Sequence, residues 1–175
     1  MGKGLGKTTE DFKRIKFDKQ FPNPFNYSWM NIDSLFLMRP SDYPSVKNIL
    51  KSIQSWDRVA SADSYGAGSY AVLYSKLRKY YNKLPDPKIF TTSVLNKALI
   101  ETLDHMEKYF GTTRIKLGSF QKLVRGDKEL SIFGLPDIIS SMGSAPYKEG
   151  MRKVVSGESY IELVKFTPKG VEINL

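Results

Sequence analysis

Cysteine is absent from the 175 residues, and histidine occurs once, as His105. The first absence excludes disulfides, thiolate catalysis and Cys-ligated zinc or iron–sulfur sites. The second argues against a histidine-rich metal site and against a histidine relay. No apolar run approaches the ~18–20 residues of a membrane-spanning helix, so a helical transmembrane protein is not expected. The basic start, Met1 to Lys7, leads into no apolar stretch of the signal-peptide kind. What is present is an ordinary globular mixture, 41% hydrophobic and 26% charged. That suffices for one domain with a core, or for a piece of a larger one.

Charge has one dominant sign. Lys and Arg number 27 against 18 Asp and Glu, a net charge of +9. The basic residues are scattered: Lys13, Arg14, Lys16 and Lys19 early, Lys76, Arg78, Lys79 and Lys83 in the middle, Arg152 and Lys153 late. Acids interleave with them, among them Glu10, Asp11, Asp18, Asp86, Asp127 and Glu129. Such clusters read first as solvated helix faces. No RNP motif, zinc-finger spacing or basic zipper is present. A basic α+β binding module, for nucleic acid, is the alternative reading that the charge supports.

The periodicity changes along the chain. Thr8 and Thr9 before Glu10 and Asp11 have the form of a helix cap. Residues 1–43 otherwise read as an irregular segment in which Pro22, Pro24 and Pro40 interrupt many aromatics, with a short helix at Asn31–Leu37. Residues 44–111 read as helical. A first helix is capped at Ser41 or Asp42, carries Pro44 in its first turn, and repeats Val46, Ile49, Leu50, Ile53 and Trp56. A second places Ala67, Tyr70, Ala71, Tyr74, Leu77 and Tyr81 on one face and stops at Leu84-Pro85-Asp86-Pro87. The third starts near Ser93, turns Val94, Leu95, Ala98, Leu99, Thr102, Leu103 and Met106 inward, and ends on Gly111. Residues 112–175 read as short strands and turns: Ile115–Gly118, Lys122–Arg125, Leu130–Leu135, Lys153–Val155, Tyr160–Phe166 and Val171–Leu175. Tyr160–Phe166 is apolar on both faces, the pattern of an inner strand.

Several local motifs invite a chemical reading and fall short of it. Gly2-Lys-Gly-Leu-Gly-Lys-Thr8 resembles a phosphate loop, but the pattern would put its first glycine at Met1 and requires a buried strand before it. Gly66-Ala-Gly68-Ser-Tyr-Ala71 matches a dinucleotide fingerprint, yet polar helical sequence precedes it. Close packing of small residues at a helix start accounts for it. Ala62-Asp-Ser64-Tyr-Gly66 resembles a nucleophile elbow whose base would have to be His105 alone. Ser64 and Asp63 read better as helix caps, and His105 as a partly exposed helix residue. Asp57/Asp63 and Asp127/Glu129 are carboxylate pairs with adjacent basic partners, Arg58 and Lys128. The residues alone assign no catalytic, cofactor or metal site.

Five stretches carry a family resemblance. Trp56-Asp-Arg-Val-Ala-Ser-Ala-Asp-Ser64-Tyr-Gly-Ala67 is similar to the W-D-x-x-A-x-x-D-S-x-G-A segment of penicillin acylase (penicillin amidase) β chains. Leu117-Gly-Ser-Phe-Gln-Lys-Leu-Val-Arg125-Gly resembles their L-G-x-x-Q-x-L-x-R-G, and Ser131-Ile-Phe-Gly-Leu-Pro-Asp137 the segment that follows. Gly157-Glu-Ser-Tyr-Ile-Glu-Leu-Val-Lys-Phe166 is similar to their G-x-S-Y-I-x-x-V-x-F strand. Glu10-Asp11 through Asp18 fits the E-D-x-x-x-I-Q-x-D that opens the same region. The matches run in family order over about residues 8 to 175.

The resemblance implies an α+β piece of an αββα N-terminal-nucleophile hydrolase: a helical layer followed by antiparallel strands of the core. It implies hydrolysis of N-acyl amides, such as β-lactam side chains or acyl-homoserine lactones, by a terminal serine whose own amine is the base. It implies a periplasmic or secreted enzyme, with the α chain and the N-terminal part of the β chain as partners. The chain opens Met1-Gly2, and the oxyanion asparagine and calcium ligands of the family precede the matched region. Asn23-Pro-Phe25 follows the opening motif instead of preceding it, so the oxyanion role is not carried onto Asn23. The expectation is a segment of a larger β chain, short at both ends and inactive alone.

Overall fold

A computed structural model describes residues 8–25, 29–85, 88–157 and 163–174. Helix α1, Thr9–Lys16, begins at a capping box: the Thr8 hydroxyl accepts from Asp11 N at 3.1 Å while the Asp11 carboxylate accepts from Thr8 N at 2.9 Å. The segment after it is irregular in its described residues apart from short 3₁₀ turns. Short 3₁₀ turns form at Asp33–Leu37 and Pro40–Asp42, the first in place of the helix expected at Asn31–Leu37. Asn31 Oδ1 accepts from Asp33 N, and Asp33 Oδ1 from Phe25 N, which ties this chain into tight turns. Phe21, Phe25, Met30, Ile32 and Leu35 are fully buried beneath it.

Three helices then form the core layer. A 3₁₀ turn at Pro44–Val46 runs into α2, Lys47–Gln54, and neither Ser41 nor Asp42 caps it. The expected stripe is nonetheless inside: Val46, Ile49, Leu50, Ile53 and Trp56 are all buried. Helix α3, Tyr65–Tyr81, is buried on every side from Gly66 to Tyr74 and packs against α2 and α4. Helix α4, Thr92–Phe110, starts at Thr91, whose hydroxyl accepts from Val94 N, and ends on Gly111 in the left-handed region (φ 63°). Tyr70 of α3 joins the first segment to this layer, with ring centroids 5.1 Å from Phe21 and 5.2 Å from Trp56. Among the described residues no helix is long and apolar enough to cross a membrane.

The C-terminal part is a sheet, with two corrections to its expected form. Ile115–Gly118 is no strand: Leu117–Phe120 is a one-turn helix, α5, because Leu117 N and Gly118 N donate to the carbonyls of Ser64 and Ala62 instead of to a neighbouring strand. The four-stranded sheet has the order β2-β1-β4-β3 from β1 (Gln121–Arg125), β2 (Lys128–Ser131), β3 (Met142–Pro146) and β4 (Arg152–Gly157). It is mixed: β1–β2 and β3–β4 are antiparallel, but β1 and β4 run parallel, with Gln121 opposite Arg152. The chain between them is long enough for that crossover. A separate antiparallel hairpin pairs β5 (Leu163–Thr167) with β6 (Gly170–Asn174). Residues 160–162 of the expected inner strand lie outside the described residues. Phe166 is 81% exposed, so the described part of that strand has no cover on this side chain. The fold is thus α+β, a helical layer followed by a mixed sheet.

Candidate functional site

Three of the stretches that carry the resemblance meet at one place, the joint between the helical layer and the sheet. The Trp56 indole donates to Val59 O at 3.0 Å, and Asp57 Oδ1 accepts from Val59 N at 3.0 Å, closing the turn after α2. Ser64 Oγ accepts from Ala67 N at 3.1 Å and caps α3. Gly118 N donates to Ala62 O at 2.8 Å, Leu117 N to Ser64 O at 3.1 Å and Gly134 N to Ala60 O at 3.0 Å. Gln121, itself buried, donates from Nε2 to Gly134 O at 2.9 Å. Gly68 is required here, since a Cβ would run into the backbone carbonyl of Ile115. Residues 56–67, 117–126 and 131–137 therefore hold one another through backbone hydrogen bonds.

An open cleft of about 610 Å³ adjoins the joint, lined by Lys51, Trp56, Asp57, Ser64, Tyr65 and Arg114 among others. The Arg114 guanidinium lies 4.3 Å from the Tyr65 ring centroid, a cation–π contact. No signal in the sequence pointed to Arg114, which comes from the turn after α4. Asp63 does not cap α3 as expected. Its carboxylate takes the Lys116 ammonium at 2.9 Å, which holds that lysine above its usual range through the hydrogen bond first and the charge second. Arg58 is likewise no partner of Asp57. It donates to Pro22 O at 2.8 Å and lies over Phe25 and Phe36, its burial lowering its pKa.

The remaining candidates are dispersed. His105 on α4 lies half-buried, its Nε2 2.8 Å from Gly150 O and its Nδ1 3.0 Å from Lys76 Nζ. A carbonyl only accepts, so Nε2 carries the hydrogen and Nδ1 accepts from the lysine: the imidazole is neutral. Burial foremost, then the Lys76 charge, holds its pKa below the ordinary histidine value. It shares no hydrogen bond with Ser64, whose hydroxyl serves the cap, so the elbow has no base. Asp127 pairs with Lys128 at 3.6 Å, whereas Glu129 accepts from Lys148 at 2.7 Å and from the Tyr147 hydroxyl at 3.0 Å. Of the glycine-rich start only Thr8 is described, and it caps α1. Phe25 of Asn23-Pro24-Phe25 is a buried core residue.

Chemically, the joint orders backbone and aromatic rings; it presents no free nucleophile next to a base. Among the described residues no group of three or more His, Asp or Glu side chains is placed to hold a metal ion. Compared with family models and with curated proteins, the chain matches none.

Proposed function

We propose that this chain is part of an amide hydrolase of the penicillin acylase type, which cleaves N-acyl compounds, and that it supplies architecture while the nucleophile comes from elsewhere in that enzyme. One observation supports the reading. Residues from two of the stretches that resemble the family, separated in sequence, serve a shared structural purpose: Trp56, Ser64, Gly66, Gly118 and Gln121 all build the joint. A family signature that encodes a joint explains why it survives in a segment with no catalytic set among its described residues. On this reading the helices and the mixed sheet are one side of an αββα core. The other acylase chain and the rest of the β chain are its partners, and the enzyme works in the periplasm or outside the cell.

An antibody against residues 44–111 tests the proposal. Precipitates from cells that make the protein should hydrolyse a chromogenic N-acyl amide. A precipitate that contains the chain and hydrolyses no acyl amide would contradict it.

A further inference from the structure

A second cavity, about 330 Å³, opens between α3, α5 and the β3–β4 side of the sheet, and shares Phe120, Gln121 and Leu135 with the joint. Two arginines line it. Arg78 comes from the last turns of α3 and Arg152 from the start of β4. Arg152 donates to the Ser144 hydroxyl at 3.0 Å and to the Ser144 carbonyl, so its head is fixed by neutral acceptors. Neither arginine forms an ion pair with a carboxylate among the described residues. Lys76 adds to the field at Arg152 without neutralising it.

Such an arrangement costs stability in the empty protein. Burial first, and the charge of Arg78 second, both work against the cation on Arg152. Guanidinium does not escape by losing its proton at neutral pH. Two cations held together in a concave, partly desolvated site focus positive potential, and an anion placed between them relieves both penalties. The rest of the wall decides which anion. Trp29, Phe120, Leu135 and Val155 present apolar and aromatic surface, while the Ser156 hydroxyl adds a donor. Tyr74 also lines it, and with its hydroxyl pushed up to about 12 by burial and by the Asp137 carboxylate it remains a neutral donor. Asp137 is itself engaged by the amides of Met30 and Trp29. Inorganic phosphate would gain nothing from the rings and leave them wet.

We propose that this cavity binds a small carboxylate with an apolar, ring-sized body, the carboxylate between Arg78 and Arg152 and the body against Trp29, Phe120 and Leu135. The volume lies near the lower end of the ~300–1,000 Å³ common for ligand sites, which fits one ring with a short substituent. The inference is independent of the acylase reading.

Calorimetric titration of the full chain with 4-ethylbenzoate tests it, against 4-ethylbenzyl alcohol and inorganic phosphate. The benzoate should bind about tenfold or more tightly than either, since a hydrogen bond to a charged group is worth roughly that factor. Arg78→Met should weaken the benzoate about tenfold with the circular dichroism unchanged, and Arg78→Lys should recover part of the loss. Arg152→Met should do the same where it folds; Arg78, on an exposed helix end, keeps the test decisive where it does not. Equal binding of alcohol and benzoate, phosphate binding as tightly as benzoate, no binding of any probe, or unchanged affinity in folded Arg78→Met each overturns the proposal.

Discussion

Tyr70 places a hydroxyl in the middle of the aromatic cluster with no hydrogen-bond partner among the described residues. Burial first, then the Asp137 and Tyr74 charges, pushes its pKa well above the usual phenol range. Leaving a buried hydroxyl unpaired costs about 1–3 kcal/mol. Tyr70→Phe should therefore be neutral or stabilise the fold by about 1 kcal/mol, read as a higher urea midpoint at unchanged slope; a loss above about 1 kcal/mol contradicts the packing described. His105 makes the second residue-scale prediction. The fold keeps it neutral and so lowers its pKa, while the unfolded chain takes a proton near the ordinary value of about 6.5. The unfolded state binds more protons in that window, so stability present above it is lost as pH falls through it. The depressed carboxyls of Asp11, Glu101 and Glu129 act at lower pH, and the raised Asp137 acts with opposite sign. The urea midpoint should drop between pH 7 and 5.5, and His105→Gln should flatten that drop. A midpoint as steep in the variant would assign the effect elsewhere.

At the scale of elements, the joint carries the architecture. Truncating a large buried aromatic costs about 3–5 kcal/mol, so Trp56→Ala should lower stability by that order, with loss of the Val59 turn. Gly68→Ala should also destabilise, by about 1–3 kcal/mol, because backbone at Ile115 cannot yield as a side-chain tip can. A stabilised Gly68→Ala, the ordinary gain for alanine in a helix, would mean that the joint is loose. The β5–β6 hairpin stands at the other extreme. A two-stranded ribbon is marginal alone, and Phe166, Val164 and Val171 are exposed on it. Hydrogen exchange should be slowest in α3 and α4 and early in 163–174; slowest amides in the hairpin would contradict this.

These extremes also mark what the sequence made legible. The stripes of α2 and α4 were readable because burial there follows the 3.6 period, as Ile49, Leu50 and Ile53 illustrate, whereas α3 is buried all round from Gly66 to Tyr74. Strand β3 was not, since Met142-Gly-Ser-Ala-Pro146 lacks alternation and owes its form to pairing with β4. The one-turn helix at Leu117 was hidden because its amides answer to carbonyls of Ala62 and Ser64, distant in sequence. Ser64 as a cap was legible locally; the Arg78–Arg152 pair was not, because only the fold brings α3 and β4 to one cavity.

Over the whole molecule, the charge of +9 is spread and partly paired. Lys79 meets Glu101 at 2.6 Å, Lys148 meets Glu129 at 2.7 Å, and Lys13 meets Glu10 at 3.2 Å. Exposed pairs of this kind contribute little stability but break up a continuous cationic face. Binding to DNA or RNA should be weak, indifferent to sequence, and steeply reduced between about 50 and 200 mM salt as counterions are released. Tight, sequence-selective binding at physiological salt would favour the nucleic-acid module over the acylase.

That the chain is one part of a larger acylase is tested most directly by the mass and N-terminal residue of the polypeptide that carries it in the cell. Mass spectrometry and N-terminal sequencing of the antibody-captured protein should find a polypeptide above the 19.9 kDa of this chain, beginning with the serine that serves as nucleophile. A 19.9 kDa polypeptide beginning at Met1 or Gly2, unaccompanied by a second chain, would contradict it.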